Sequence, residues 1–242
     1  MRKIKYIIIV CFLLVCSVFG FSQGEIPAKN HILIIDKTGS MEGKGYYKSP
    51  NIWADVKSAV NGYVDNIEIG DKVTLYTYHE KVDIVKEYNI TGIDVKNKIK
   101  SDINKIQANG KWTCTYKALD SIFASLSKQE INIIQLYTDG ANSNIKKCGL
   151  GNLHSTLANY KLNRGDLDYL FYITLGFKPS SEIIDSLGEY GTVISDLDGG
   201  VPSINILSPK ALSLEFSKDK LSLNQGFLLV SATELDTTFK VE

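Results

Sequence analysis

Three continuous apolar runs, separated by stretches of helical periodicity, restrict the folds open to this chain. Residues 31–36 (HILIID), 131–138 (INIIQLYT) and 167–176 (LDYLFYITLG) show no polar alternation. A strand covered on both faces of a parallel sheet reads this way. Elsewhere the apolar residues fall three and four apart. Ile52, Val56, Val60, Tyr63 and Val64 mark an amphipathic helix over 52–67, entered after Pro50, and Val95, Ile99, Ile103 and Ile106 mark another over 94–108. Residues 116–126, 156–162 and 181–190 read as further helices. KVTLYTYH (72–79) and VDIVKEYN (82–89) are separated only by Glu80 and Lys81, so these two strands must be antiparallel. TVISDL (192–197) supplies a last short strand. The expected fold is α/β: a Rossmann-like, doubly wound, mostly parallel six-stranded sheet with one antiparallel edge strand and helices on both faces.

The ends read differently from the middle. Arg2, Lys3 and Lys5 precede an apolar run from Tyr6 to Phe21, and Gly20 and Ser22 are small residues suited to a signal peptidase. Residues 1–22 are therefore expected to be a cleaved signal peptide; as an anchor the run would be short for about 30 Å of hydrocarbon. Its removal takes three positive charges and no acid, moving the formal charge from zero to about −3. Such a balance argues against nucleic acid as a partner. No later segment is apolar for 18 residues, so the mature chain is expected to carry no membrane span. The destination implied is periplasmic, cell-surface or secreted. At the other end Gly199, Gly200 and Pro202 mark a boundary, after which Leu212, Leu214 and Phe216 alternate with polar residues. Residues 199–242 read as a β-like C-terminal extension or the start of a second domain, being too few for a β-sandwich of ~100 residues. The domain proper spans 30–198.

Cys11 and Cys16 would leave with the signal, and Cys114 and Cys148 would remain in an oxidising compartment. Two states are open to them, a disulfide and a pair of buried thiols. The disulfide would contribute on the order of 3 to 4 kcal/mol by loop closure. A zinc site built with His154 lacks the further ligands it would need.

In doubly wound sheets ligands gather beyond the carboxyl ends of the strands. Asp36 and Asp139 each close an apolar strand at that edge. Asp36, Thr38 and Ser40 in DKTGS, Thr113 in GKWTCTYKAL and Asp139 in LYTDGANSN all offer hard oxygen. Three neutral hydroxyls with two carboxylates suit a small divalent cation and leave it with affinity for a further anion.

These motifs resemble a von Willebrand factor A domain with a metal-ion-dependent adhesion site. DKTGSM resembles the DxSxS signature, with Thr38 in place of the first serine; Thr113, ahead of Ala118 and Leu119, falls where that family has its metal-binding threonine; Asp139 in YTDG matches the last ligand. DKVTLYTYHEKVDIV and YITLGF resemble the family's second, third and fifth strands. The resemblance implies Mg²⁺ or Mn²⁺, in preference to Ca²⁺. Thr38, Ser40 and Thr113 would be direct ligands, and Asp36 and Asp139 would act directly or through water. It further implies an exported, non-catalytic adhesion or scaffolding module whose protein partner offers a Glu or Asp to the metal. The family's final helix is not evident after residue 198, and the loop from Glu42 to Asn51 is longer than in compact members.

DKTG also resembles the phosphorylated segment of P-type pumps and haloacid-dehalogenase enzymes, in which the aspartate attacks a phosphoryl group. In that alternative Asp36 is a nucleophile, but Ser143 stands where an aspartate is needed and Thr38 where a second acid is needed. A structural envelope domain without an active metal site is the other alternative. His31, His79 and His154 suggest no nucleophilic triad and read as structural or surface residues. Tyr46, Tyr47 and Trp112 read equally as rim contacts or as packing.

Overall fold

The apolar runs become strands because each has neighbours on two edges and cover on two faces. A computed structural model of the chain describes residues 29–44, 50–139, 145–149, 152–175, 179, 181–187, 191–196, 216–217 and 220–221. The segment 1–22, Tyr46, Tyr47, Ser143 and the boundary at 199–202 lie outside the described residues.

Strand β1 (Lys29–Asp36) lies at the centre, followed by α1 (Trp53–Asn66), β2 (Lys72–Tyr78), β3 (Val82–Asn89), α2 (Ile93–Lys105), α3 (Thr115–Phe123) and β4 (Ile131–Thr138). The single turn α4 (Ile145–Cys148) precedes α5 (Leu153–Asn163), β5 (Tyr169–Leu175), α6 (Ser181–Leu187) and β6 (Gly191–Asp196). The six strands run in the order β3-β2-β1-β4-β5-β6. Only β3 is antiparallel to its neighbour, as the short separation of the two sequences predicts. Two further strands, β7 (Phe216–Ser217) and β8 (Lys220–Leu221), form an antiparallel pair in the C-terminal extension. Among the described residues no helix is long and apolar enough to cross a membrane.

Alternate side chains of β1 feed two cores. Leu33 and Ile35 join Val56, Val60 and Val64 of α1 and Ile99 and Ile103 of α2. Ile32 and Ile34 join Leu119, Ile122 and Phe123 of α3 and Leu157 and Tyr160 of α5. Burial on both faces is why the run lacks alternation. Turns between elements use backbone freedom where it is needed: Gly70, entering β2, has φ of 102°, a conformation other residues adopt only with strain.

The two edges of the sheet are chemically different. At the amino-terminal edge buried polar groups satisfy one another. His31 contacts the Tyr63 hydroxyl through Nδ1 at 2.6 Å and Asp71 through Nε2 at 3.1 Å, which makes it a satisfied structural histidine. Burial opposes ionisation of Asp71, but its contacts with His31 and Lys29 prevail and hold the carboxyl below its usual range. Asp168, 1% exposed, accepts from the Asn132 backbone N–H at 2.7 Å, the Asn132 side-chain amide at 2.8 Å and the Gly165 N–H at 2.9 Å. Asp168→Ala leaves those donors without their acceptor, and we expect it to cost on the order of 3 kcal/mol in urea denaturation. A loss below about 1 kcal/mol would contradict this assignment of the network.

At the carboxyl edge the polar groups gather around Asp36 and Asp139. The connections from β1 and β4 depart to opposite sides there, the topological switch point at which open α/β sheets form their crevice.

Candidate functional site

Asp36 ends β1 with no exposed surface. Its Oδ1 accepts from the Thr38 backbone N–H at 2.9 Å, closing a local turn that folds the chain back over the end of the sheet. Its Oδ2 accepts from Thr138 Oγ1 at 2.8 Å and faces the Tyr78 hydroxyl at 3.4 Å. Tyr78 in turn lies 3.1 Å from Thr115 Oγ1. The ends of both neighbouring strands thus converge on Asp36, because parallel pairing sets Asp36 against Tyr78 in register.

A one-turn 3₁₀ helix, Gly39–Met41, follows and anchors through buried Met41. It turns Ser40 back toward Thr38, and their hydroxyl oxygens are 2.9 Å apart. Ser40 Oγ donates to Asp139 Oδ1 at 3.0 Å, and Thr113 Oγ1 donates to Thr38 Oγ1 at 3.3 Å. The chain therefore brings together four oxygen-bearing side chains from three separate connections.

The Thr113 loop is held by its backbone. Gly110 N donates to Lys37 O and Gly39 N to Gly110 O, both at 2.9 Å, stitching this loop to DKTGS. A Cβ at Gly110 would lie 2.4 Å from His79 Cβ and 3.1 Å from Lys37 O, so glycine is what permits the approach. Cys114 N donates to His79 O at 3.0 Å. Cys114 is bonded to Cys148, 34 positions further along the sequence, with a Cα separation of 5.0 Å. The pair left open by the sequence is thus a disulfide.

Charge at this edge is poorly accommodated as the protein stands. Burial, and next the neighbouring Asp139, push Asp36 up to about 7, despite hydrogen bonds from Thr38 and Thr138 that favour the carboxylate. Burial raises Asp139 as well, against the hydrogen bond from Ser40. Asp139 Oδ2 is buried and has no hydrogen-bond partner among the described residues. Two neighbouring carboxyls, one enclosed and one partly buried, are chemically suited to a cation.

The spacing suits a small one. Oxygens adjacent in an octahedron around an ion at about 2.1 Å are about 3.0 Å apart. The links Thr38–Ser40 and Ser40–Asp139, at 2.9 and 3.0 Å, are within about 0.1 Å of that length, and Thr113–Thr38 at 3.3 Å is longer. The donors are all oxygen and mostly neutral. Among the described residues no three His, Cys, Asp or Glu side chains form a metal-binding group, so any binding rests on hydroxyls as much as on acids.

Residues 31–142 match the family described as von Willebrand factor type A domain. The fold is that of a type A domain. A von Willebrand factor type A protein from Catenulispora acidiphila superposes with a TM-score of 0.54 at 18% identity, covering 75% of this chain and 40% of that one. Proximal thread matrix protein 1 from the mussel byssus, in a form with a zinc-occupied MIDAS motif, gives 0.52 at 13% identity over 75% of this chain and 45% of that one. BatB from Bacteroides thetaiotaomicron gives 0.51 at 12% identity over 76% of this chain and 95% of that one. At these identities the likeness is one of fold. An uncharacterized protein of Treponema pallidum (strain Nichols) is 29% identical over 135 residues, which is 54% of this chain and 58% of the relative. The chain thus spans little more than half of that curated relative.

Beneath the cluster lies a layer that no sequence motif marks: Tyr78, Thr115 and Thr138. Their signal is weak because hydroxyls at strand ends are ordinary, and only register shows that they surround one carboxylate. Lys37, close by, is paired with Asp83 at 2.7 Å, while Lys111 is exposed and Trp112 half-buried on the Thr113 loop.

Proposed function

We propose that this type A domain is an exported, divalent-cation-dependent protein-binding module. Thr38, Ser40, Thr113 and Asp139 would hold Mg²⁺ or Mn²⁺, with Asp36 behind them fixing the turn and contributing charge. The observation that carries this reading is the cluster of oxygens at octahedral-edge spacing, beside a buried Asp139 Oδ2 that has no partner among the described residues. When bound, the cation supplies a Lewis-acidic site that retains affinity for an anionic oxygen, because three of the five side chains are neutral.

The protein's own groups shape what reaches that site. Thr38 and Thr113 are buried, whereas Ser40 and Asp139 are partly open, so access is from their side. Lys111, exposed and two residues ahead of Thr113 on the same loop, adds positive charge that favours an acidic visitor. A Glu or Asp side chain of a partner protein meets both demands. Asp36 is enclosed, with both oxygens facing donors, a poor arrangement for in-line attack on a phosphoryl group. Export rests on the signal-like segment at 1–22 and accords with the Cys114–Cys148 bond.

Titration calorimetry with Mn²⁺ tests the ligand assignment. The wild-type chain is expected to bind one ion, and Asp139→Ala to bind at least about 100-fold more weakly, since it removes the cage's anionic ligand. Equal affinity in the two proteins would refute the assignment.

A further inference from the structure

Of residues 146–149 only Cys148 is buried; Lys146, Lys147 and Gly149 are exposed. Among these described side chains the disulfide is thus the one buried anchor of α4, the turn that follows Asp139 on the connection leaving β4. Its other end, Cys114, is adjacent to Thr113 and begins α3, where its carbonyl accepts from Ala118 N at 3.0 Å. Cys148 Sγ also lies 3.3 Å from the Thr113 carbonyl oxygen. A single covalent bond thus ties together the two connections that bear Thr113 and Asp139.

We propose that the Cys114–Cys148 bond sets the cation affinity of the oxygen cage, making cation capture redox-dependent. This rests on the reading that the cage binds a metal. A thiolate of an external dithiol attacks one sulfur, the other cysteine leaves as a thiolate, and the second thiol of the reagent resolves the mixed disulfide. Two electrons and two protons pass from the dithiol, which becomes a cyclic or protein disulfide, and Cys114 and Cys148 become thiols.

Reduction leaves the ligands in place chemically but removes the tether that holds them at cage spacing. If the reduced chain adopts the competent arrangement about a tenth of the time, the apparent Kd rises about tenfold. Linkage requires the reverse effect: bound cation must favour the disulfide by the same factor, which for two electrons is about 30 mV. Cys114 is 1% and Cys148 4% exposed, so attack requires local opening. Thr113 and Asp139, if both hold the cation, would resist that opening.

The full chain is titrated with Mn²⁺ in three forms: oxidised, reduced with a phosphine, and as the Cys114→Ser/Cys148→Ser double variant. Far-UV circular dichroism checks folding. In parallel, wild-type protein is equilibrated across a dithiol redox buffer with and without Mg²⁺, and free thiols are counted by alkylation and mass. We expect about tenfold weaker binding without the bond, and a midpoint about 30 mV lower with Mg²⁺. Oxidised and reduced affinities within twofold, with no midpoint shift, would overturn the inference and leave the cage reading standing. Failure of the oxidised protein to bind Mn²⁺ would overturn both. If the double variant does not fold, the redox-buffer measurement on wild-type protein decides.

Discussion

Asp36→Asn is expected to raise the melting temperature of the metal-free protein at pH 8 and at the same time to abolish its response to Mg²⁺. At that pH the carboxylate is ionised in both folded and unfolded chains, and the folded state carries the cost of enclosing it. Displacement of Asp36 from 3.8 to about 7, by burial first and Asp139 second, corresponds to on the order of 4 kcal/mol above pH 7. Asparagine removes the charge and keeps the shape. Its carbonyl can still accept from Thr38 N, and its amide can donate toward Thr138 Oγ1, whose hydroxyl rotates. Allowing for imperfect bonding, we expect a net gain of about 1 to 2 kcal/mol, or roughly 3 to 6 °C, in calorimetric melts. A variant less stable than wild type in EDTA at pH 8 would contradict the claim that this carboxylate is electrostatically strained.

Stability of the wild-type domain should depend on pH with opposite trends in the two metal states. Asp36 and Asp139 are both raised, so between about pH 4 and 7 the folded chain holds protons that the unfolded chain has lost. Metal-free stability must then fall as pH rises through that window, and the penalty is complete above it. Asp71, held low, titrates below this window and acts in the opposite direction there. A cation competes with the same protons, so its benefit is small at pH 5 and full at pH 8. At 100 times Kd the gain is about 2.7 kcal/mol, which for a domain of this size is roughly 5 to 10 °C. Melting with excess Mg²⁺ or EDTA at pH 5, 6.5 and 8 checks the trend. An equal Mg²⁺ shift at all three values would remove the acids from the account.

The sequence made the sheet legible because burial on both faces leaves an unbroken apolar run, and β1, β4 and β5 have such runs. Helix boundaries were less legible. Ile106 continues the apolar period of α2, yet the helix stops at Lys105 because Ile106 turns to an extended backbone. α5 begins ahead of its apolar period: Asn152 caps it, its side chain accepting from Ser155 N at 2.8 Å. Asp36, Thr38, Ser40, Thr113 and Asp139 could be named from local motifs, and the fold brings these five residues to one edge. Tyr78, Thr115 and Thr138 could not, because their meeting at Asp36 depends on strand register between segments far apart in the chain. Gly110 was also silent, since its role is space for His79.

Crystals soaked in Mn²⁺ and measured for anomalous scattering test the central claim most directly. The account predicts one strong peak about 2.1 Å from the hydroxyl oxygens of Thr38, Ser40 and Thr113 or from an Asp139 oxygen, with water completing the shell. Absence of a peak at this edge, or a strong peak only elsewhere on the molecule, would contradict it.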